Sequence, residues 1–196
     1  MKKKLLVVSL CAIIAIMAIA GSSLAWLKDE TGTVVNTFTE GKVDIDLYEN
    51  KYVAESNTLD ENVQVRDDSN SYKMIPGTTL PKNPTVEVLA VSEACWLFVK
   101  MEELNDVEDF LTYGIAAGWT ALDGVPGVYY RAVDDTDELQ TFAVLANDQV
   151  FVNTTVEMTD MEKIGANKPQ LKFTAYAIQK ANTRTAKEAW TTAEFN

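Results

Sequence analysis

The chain has 196 residues, with 17 Lys+Arg against 29 Asp+Glu, a formal net charge of −12, no histidine and two cysteines. A surface this acidic repels phosphate backbones, which argues against nucleic-acid binding and against direct docking on anionic lipid. The lack of histidine removes the commonest general base and the commonest zinc ligand.

The first stretch reads as an export signal. Lys2, Lys3 and Lys4 form a positive start, residues 5–20 are apolar except for Ser9, and Gly21-Ser22-Ser23 then breaks the run. Ser23-Leu24-Ala25 has the small–x–small form that a signal peptidase needs, so cleavage is predicted between Ala25 and Trp26. No charge falls within 5–27, and at ~1.5 Å per residue an uncleaved run would also span a bilayer, the one route to a membrane that the sequence offers. The Gly-Ser-Ser break and the small residues favour cleavage, because an anchor has no use for them. In either case the lysines stay inside and the rest goes out. Cys11 follows bulky Leu10 within the apolar core, so it is not a lipidation site.

Cleavage leaves residues 26–196, a length that suits one domain with a sizeable core. Three of the basic residues leave with the signal; the 14 that remain against 29 acids give −15. Cys95 is then alone, without a disulfide partner. Its apolar neighbours, Ala94 and Trp96-Leu97-Phe98-Val99, make it a buried small hydrophobe, not a nucleophile.

Taken in order, Val34-Val35-Asn36-Thr37-Phe38-Thr39 is β-branched and aromatic and reads as a strand. Glu40-Gly41-Lys42 reads as a turn. Val43, Ile45 and Leu47 then alternate with Asp44 and Asp46, as on a half-buried strand with a solvated acidic face. Residues 49–72 read as polar and irregular, with a weak strand at 63–65. Thr85-Val86-Glu87-Val88 is a strand after the Pro-rich punctuation at Pro76, Pro81 and Pro84. Residues 95–101 are apolar on both faces, as in a central strand covered on each side.

The period then changes. Val107, Leu111 and Ile115 recur at helical spacing, Asn105 and Glu108 form a capping-box pair and Gly118 suits a stop, so a helix is predicted over 105–117. A turn at 123–127, strands at 128–133, 141–145, 150–158 and 171–179, and a short helix opened by Thr185 and Glu188 complete the chain. About seven to nine short strands between turns predict a mainly β fold: a jelly-roll-like antiparallel β-sandwich with one or two short inserted helices, preceded by the signal helix.

Four stretches carry a family resemblance. They are the Ala25 junction followed by Trp26-Leu27-Lys28-Asp29; Asn36-Thr37-Phe38-Thr39-Glu40-Gly41-Lys42-Val43-Asp44-Ile45; Pro76-Gly77 with Lys82-Asn83-Pro84-Thr85-Val86; and Ala175-Tyr176-Ala177-Ile178-Gln179. In order and spacing they resemble the TasA/camelysin family of exported Gram-positive proteins, which are processed by the signal peptidase SipW. The resemblance implies a secreted jelly-roll sandwich at the cell surface or in the biofilm matrix, and a fibre whose subunits donate their mature N-terminal strand to the next copy. The donor would be residues 26–39, with Val34, Val35 and Phe38 as buried side chains. Such donation completes a neighbour's open sheet edge through backbone hydrogen bonds. Repeated head to tail, it yields a filament.

A second expectation is an envelope-associated module that binds glycan or protein, with Trp96, Trp119, Tyr129 and Tyr130 as platform aromatics. Peptidase activity, attributed to some camelysin-type members, does not carry over, because carboxylates alone are a poor zinc set. No catalytic constellation is visible and no cofactor is expected. Asp67-Asp68-Ser69-Asn70 and the acidic run 134–138 are the places where calcium would bind if anywhere; the first lacks the spacing and closing Glu of a calcium loop, and the second reads as an exposed acidic loop.

Overall fold

The computed structural model describes residues 42–66, 69–157, 159–160 and 168–193. The signal segment, the Ala25–Trp26 junction, the predicted strand bearing Val34, Val35 and Phe38, and Asp67 and Asp68 lie outside the described residues. What is described belongs to one compact unit, Glu40–Asn196. Among the described residues no helix is long and apolar enough to cross a membrane.

The fold is mainly β, an antiparallel sandwich with two short helices. The first sheet runs β2-β1-β4-β9, with β1 Ile45–Val53, β2 Thr58–Val65, β4 Thr85–Val88 and β9 Gln140–Ala143. The second runs β11-β5-β8-β7, with β5 Cys95–Leu104, β7 Thr120–Ala121, β8 Val128–Val133 and β11 Gln170–Gln179. A small third sheet, β3-β10-β6, comprises Thr79–Pro81, Gln149–Val152 and Leu111–Thr112. The helices are α1, Val107–Phe110, and α2, Ala186–Thr192.

Three apolar clusters explain this arrangement. Between the two large sheets, Val86 and Val88 meet Cys95, Leu97, Val99 and Val133. Val43, Ile45 and Leu47 join them opposite Phe173, Ala175 and Ala177, so the alternation read along β1 is borne out. Asp44 and Asp46 face out, paired with Lys42 and Arg66. On the other side of β5, Phe98 and Trp96 pack with Tyr176 and with Ala186, Ala189 and Trp190 of α2. Strand β5 is therefore covered on both faces, as its unbroken apolar run requires. The third cluster, Leu80, Met101, Leu145, Val150 and Val152, fills one end under the small sheet.

Helix α2 follows from its sequence. Ala186, Ala189 and Trp190 form its buried stripe, and Thr185 Oγ1 accepts from the Glu188 N–H at 3.1 Å. The Glu188 carboxylate reaches back to the Arg184 N–H at 3.0 Å, one residue before the cap, a shifted version of the predicted capping box.

Three expectations are corrected. The helix over 105–117 is a single turn, because Leu111, Tyr113 and Ile115 also alternate with period two and all three pack into the end cluster from extended backbone. Leu111 pairs with Val152, and Ile115 bridges to Leu145. Asn105 does not cap: it and Asp106 are left-handed (φ 59° and 54°), and Asp106 stands at the cap without a side-chain bond. The stretch 49–72 is more regular than expected: the weak strand at 63–65 extends back to Thr58, while 69–72 are irregular as read. β1 continues to Val53 and returns as the eight-residue β2, polar and bulged, with register jumping between Asn50 and Lys51. The strand predicted over 150–158 stops at Val152. There the Asn153 side chain accepts from Thr112 Oγ1 and donates to the Asp109 carbonyl, turning the chain.

Candidate functional site

Strand β11 is the feature from which the site is built. It holds an unbroken ten-residue register with β5, and among the described residues its other side is hydrogen-bonded to no strand. A ten-residue strand presents ~33 Å of backbone donors and acceptors. Natural edges are usually blunted by shortness, bulges, Pro or charge. The β2 edge is bulged and carries Asp60 and Glu61, and the edge strands β3, β6, β7 and β9 have four residues or fewer. β11 has no bulge and no Pro, and Lys172 is its one charged residue.

Two clefts flank the start of β11. One, of about 260 Å³, separates Gln170 and Phe173 from Val65 and Arg66 at the end of β2. The other, of about 460 Å³, lies between Leu171 and the segment bearing Tyr72 and Met74, with Leu80 and Val150 behind. They share Asn70, Lys82 and Leu171, so they adjoin along the edge. Tyr72, Met74, Leu80, Leu111 and Leu171 make the larger cleft mainly apolar, the smaller mixes polar and apolar side chains, and the floor is charged.

The floor is a nearly dry ion pair. Lys82 Nζ lies 2.6 Å from Glu49 Oε1, with the side chains 10% and 16% exposed. Lys82 is held by the β3–β4 connection, where Pro81 and Pro84 restrict the backbone and its own N–H donates to the Asp148 carbonyl. Its ammonium lies 5.2 Å from the Tyr72 ring centre and 5.3 Å from that of Phe173. Glu49 Oε2 accepts from Asn70 Nδ2 at 3.2 Å and from the Tyr72 hydroxyl at 3.4 Å. Asn70 Nδ2 also donates to the Asn50 carbonyl, and its Oδ1 accepts from the Tyr52 N–H at 2.9 Å. Burial, then the adjacent Glu49 charge, holds the Tyr72 phenol well above its ordinary value, so it stays a neutral donor. These contacts offset the cost of dehydrating two charges. From the sequence alone this network was missed. Its traces were the Lys82-Asn83-Pro84 block within the family resemblance and Asn70, singled out only as part of an acidic stretch.

The other residues singled out in the sequence do not converge. Trp96 and Tyr130 meet edge to face at 6.1 Å in the α2 cluster. Tyr129 belongs to the end cluster. Trp119 packs against the inter-sheet core, donates to the Ala143 carbonyl, and lies 5.4 Å under the Arg131 guanidinium, which also stacks on Phe142 at 3.9 Å. The four aromatics form three separate contacts, not one platform. Cys95 is fully buried, and burial pushes its thiol up to about 11, which keeps it unreactive at neutral pH. In the acidic run, Asp134 pairs with Lys180, while Asp135 and Asp137 line an open cleft beside Ser92. Among the described residues no three of His, Cys, Asp and Glu are grouped to hold a metal.

No family model matches the chain, and no curated protein or solved structure matches it.

Proposed function

We propose that the chain is a secreted structural protein of the TasA type, a fibre-forming or surface-attached matrix subunit that assembles by N-terminal strand donation. Residues 26–39, freed by signal peptidase SipW, would add to the β11 edge of another copy. In that pose Val34 and Phe38 share one strand face and Val35 takes the other. The reading is supported above all by β11 itself: a long, straight, nearly uncharged edge with clefts beside it that have room for side chains. β-Augmentation needs both parts, backbone groups for affinity and pockets for alternate side chains. The acidic surface keeps such subunits apart until a specific strand docks.

The test is electron microscopy and sedimentation of residues 26–196 beside residues 40–196, across pH and concentration, with near-ultraviolet circular dichroism to show that both are folded. Fibres from the longer form alone are expected. Two monomers, or two fibre-formers, would reject the proposal.

A further inference from the structure

The floor of the clefts holds the parts of a reaction. A lysine amine, an asparagine side-chain amide and a carboxylate that touches both lie together between aromatic rings. Glu49 Oε1 contacts Lys82 Nζ at 2.6 Å, and Glu49 Oε2 contacts Asn70 Nδ2 at 3.2 Å. The Asn70 carbonyl oxygen is held by the Tyr52 backbone N–H at 2.9 Å, where an oxyanion would develop if Cγ were attacked. The rings of Tyr72 and Phe173 flank Nζ, and the Lys82 side chain is 10% exposed.

We propose that Lys82 and Asn70 become joined by an intramolecular isopeptide bond that the folded protein makes on itself, with Glu49 as the proton-transferring group. Lys82 gives its proton to Glu49 Oε1, and the neutral amine attacks Asn70 Cγ. The electron pair of the C=O bond moves onto Oδ1, opposite the Tyr52 N–H. Collapse of the tetrahedral centre breaks the Cγ–Nδ2 bond. Glu49, already hydrogen-bonded to Nδ2, protonates the departing nitrogen, which leaves as ammonia; Glu49 then takes the second proton from the former lysine nitrogen and passes it to the ammonia, which departs as ammonium and leaves Glu49 the carboxylate it began as. One C–N bond forms and one breaks, the proton count balances, and no oxidant or co-reactant is needed. Fixed geometry replaces the high amine concentration that such an exchange requires in solution. The bond would clamp the segment carrying Tyr72, which walls the larger cleft, to the β3–β4 connection.

The experiment is intact mass spectrometry of the full chain, recovered unfolded in urea from inclusion bodies and then folded, followed by tryptic mapping. The mass should fall by one ammonia on folding and not before. Trypsin should then fail to cut after Lys82, leaving the peptide 67–73 joined to 74–100. Lys82→Arg and Glu49→Gln should retain full mass; tryptophan fluorescence identifies variants that fold, and the wild-type map decides the question even where one does not. A cyclic imide at Asn70 would lose the same mass but leave Lys82 cleavable, and that result overturns the proposal, as does an unchanged wild-type mass. A folded Glu49→Gln variant that still cross-links overturns the role of Glu49.

Discussion

Replacing Trp190 with Ala tests whether α2 is part of the core or only rests upon it. Trp190 is 8% exposed, with ring centres 5.2 Å from Phe98 and 5.5 Å from Tyr176. Large-to-small changes of this kind cost about 3–5 kcal/mol, through lost transfer free energy and the cavity left behind. The two aromatic contacts place this case in the upper half of that range. With a urea dependence of ~2 kcal/mol/M, a loss of ~4 kcal/mol lowers the unfolding midpoint by ~2 M. Equilibrium unfolding followed by circular dichroism measures it. Two companions calibrate the result. Thr185→Ala removes the cap bond to Glu188 and should cost about 1 kcal/mol, while exposed Thr191→Ala should change stability by no more than about 0.5 kcal/mol. A Trp190→Ala midpoint within ~0.5 M of wild type, at unchanged slope, would refute the claim that β5 is covered on both faces.

Gly127 has φ +74°, and a Cβ there would lie 2.5 Å from the Met101 carbonyl oxygen, so Gly127→Ala should destabilise by about 2 kcal/mol or more in the same assay. Tyr48, Tyr72 and Tyr113 all have phenols raised above 10.0, with burial as the first cause. Their folded form is the neutral one, so their contribution to stability is complete below the ordinary tyrosine value of about 10 and is lost as the pH rises above it. An ultraviolet alkaline titration should show these three of the seven tyrosines ionising late, with unfolding. A single early transition for all seven would contradict the packing. Cys95 should resist thiol reagents at neutral pH until the protein is denatured, and rapid labelling of the native protein would count against its burial.

Much of the sandwich was legible because its strands obey simple periods. Alternation marked β1 through Val43, Ile45 and Leu47, and the two-sided apolar run marked β5 as central. Where the period was ambiguous, packing decided: Leu111 and Ile115 fit a helix by their spacing, but with Tyr113 between them they also fit a strand, and the end cluster took that option. Only the end of β2, 63–65, was legible, because its stability comes from pairing with β1 and not from an apolar face. The cleft floor was the least legible part. Glu49, Asn70 and Lys82 lie far apart in the chain, each reads singly as an ordinary polar residue, and only the fold makes them neighbours. β11 was legible as a strand; its place at a sheet edge is a matter of topology that no local pattern carries.

The most direct test of strand addition uses lysines already in the chain. Light and isotopically heavy protein, residues 26–196, are mixed while unfolded, refolded and assembled together, and cross-linked through amines. The leading segment contributes Lys28, and β11 contributes Lys172. Donation between copies predicts Lys28–Lys172 links in which light and heavy peptides are joined as often as random mixing allows. Links found only within one label would mean that the leading segment completes its own sheet, and the account of assembly would fail.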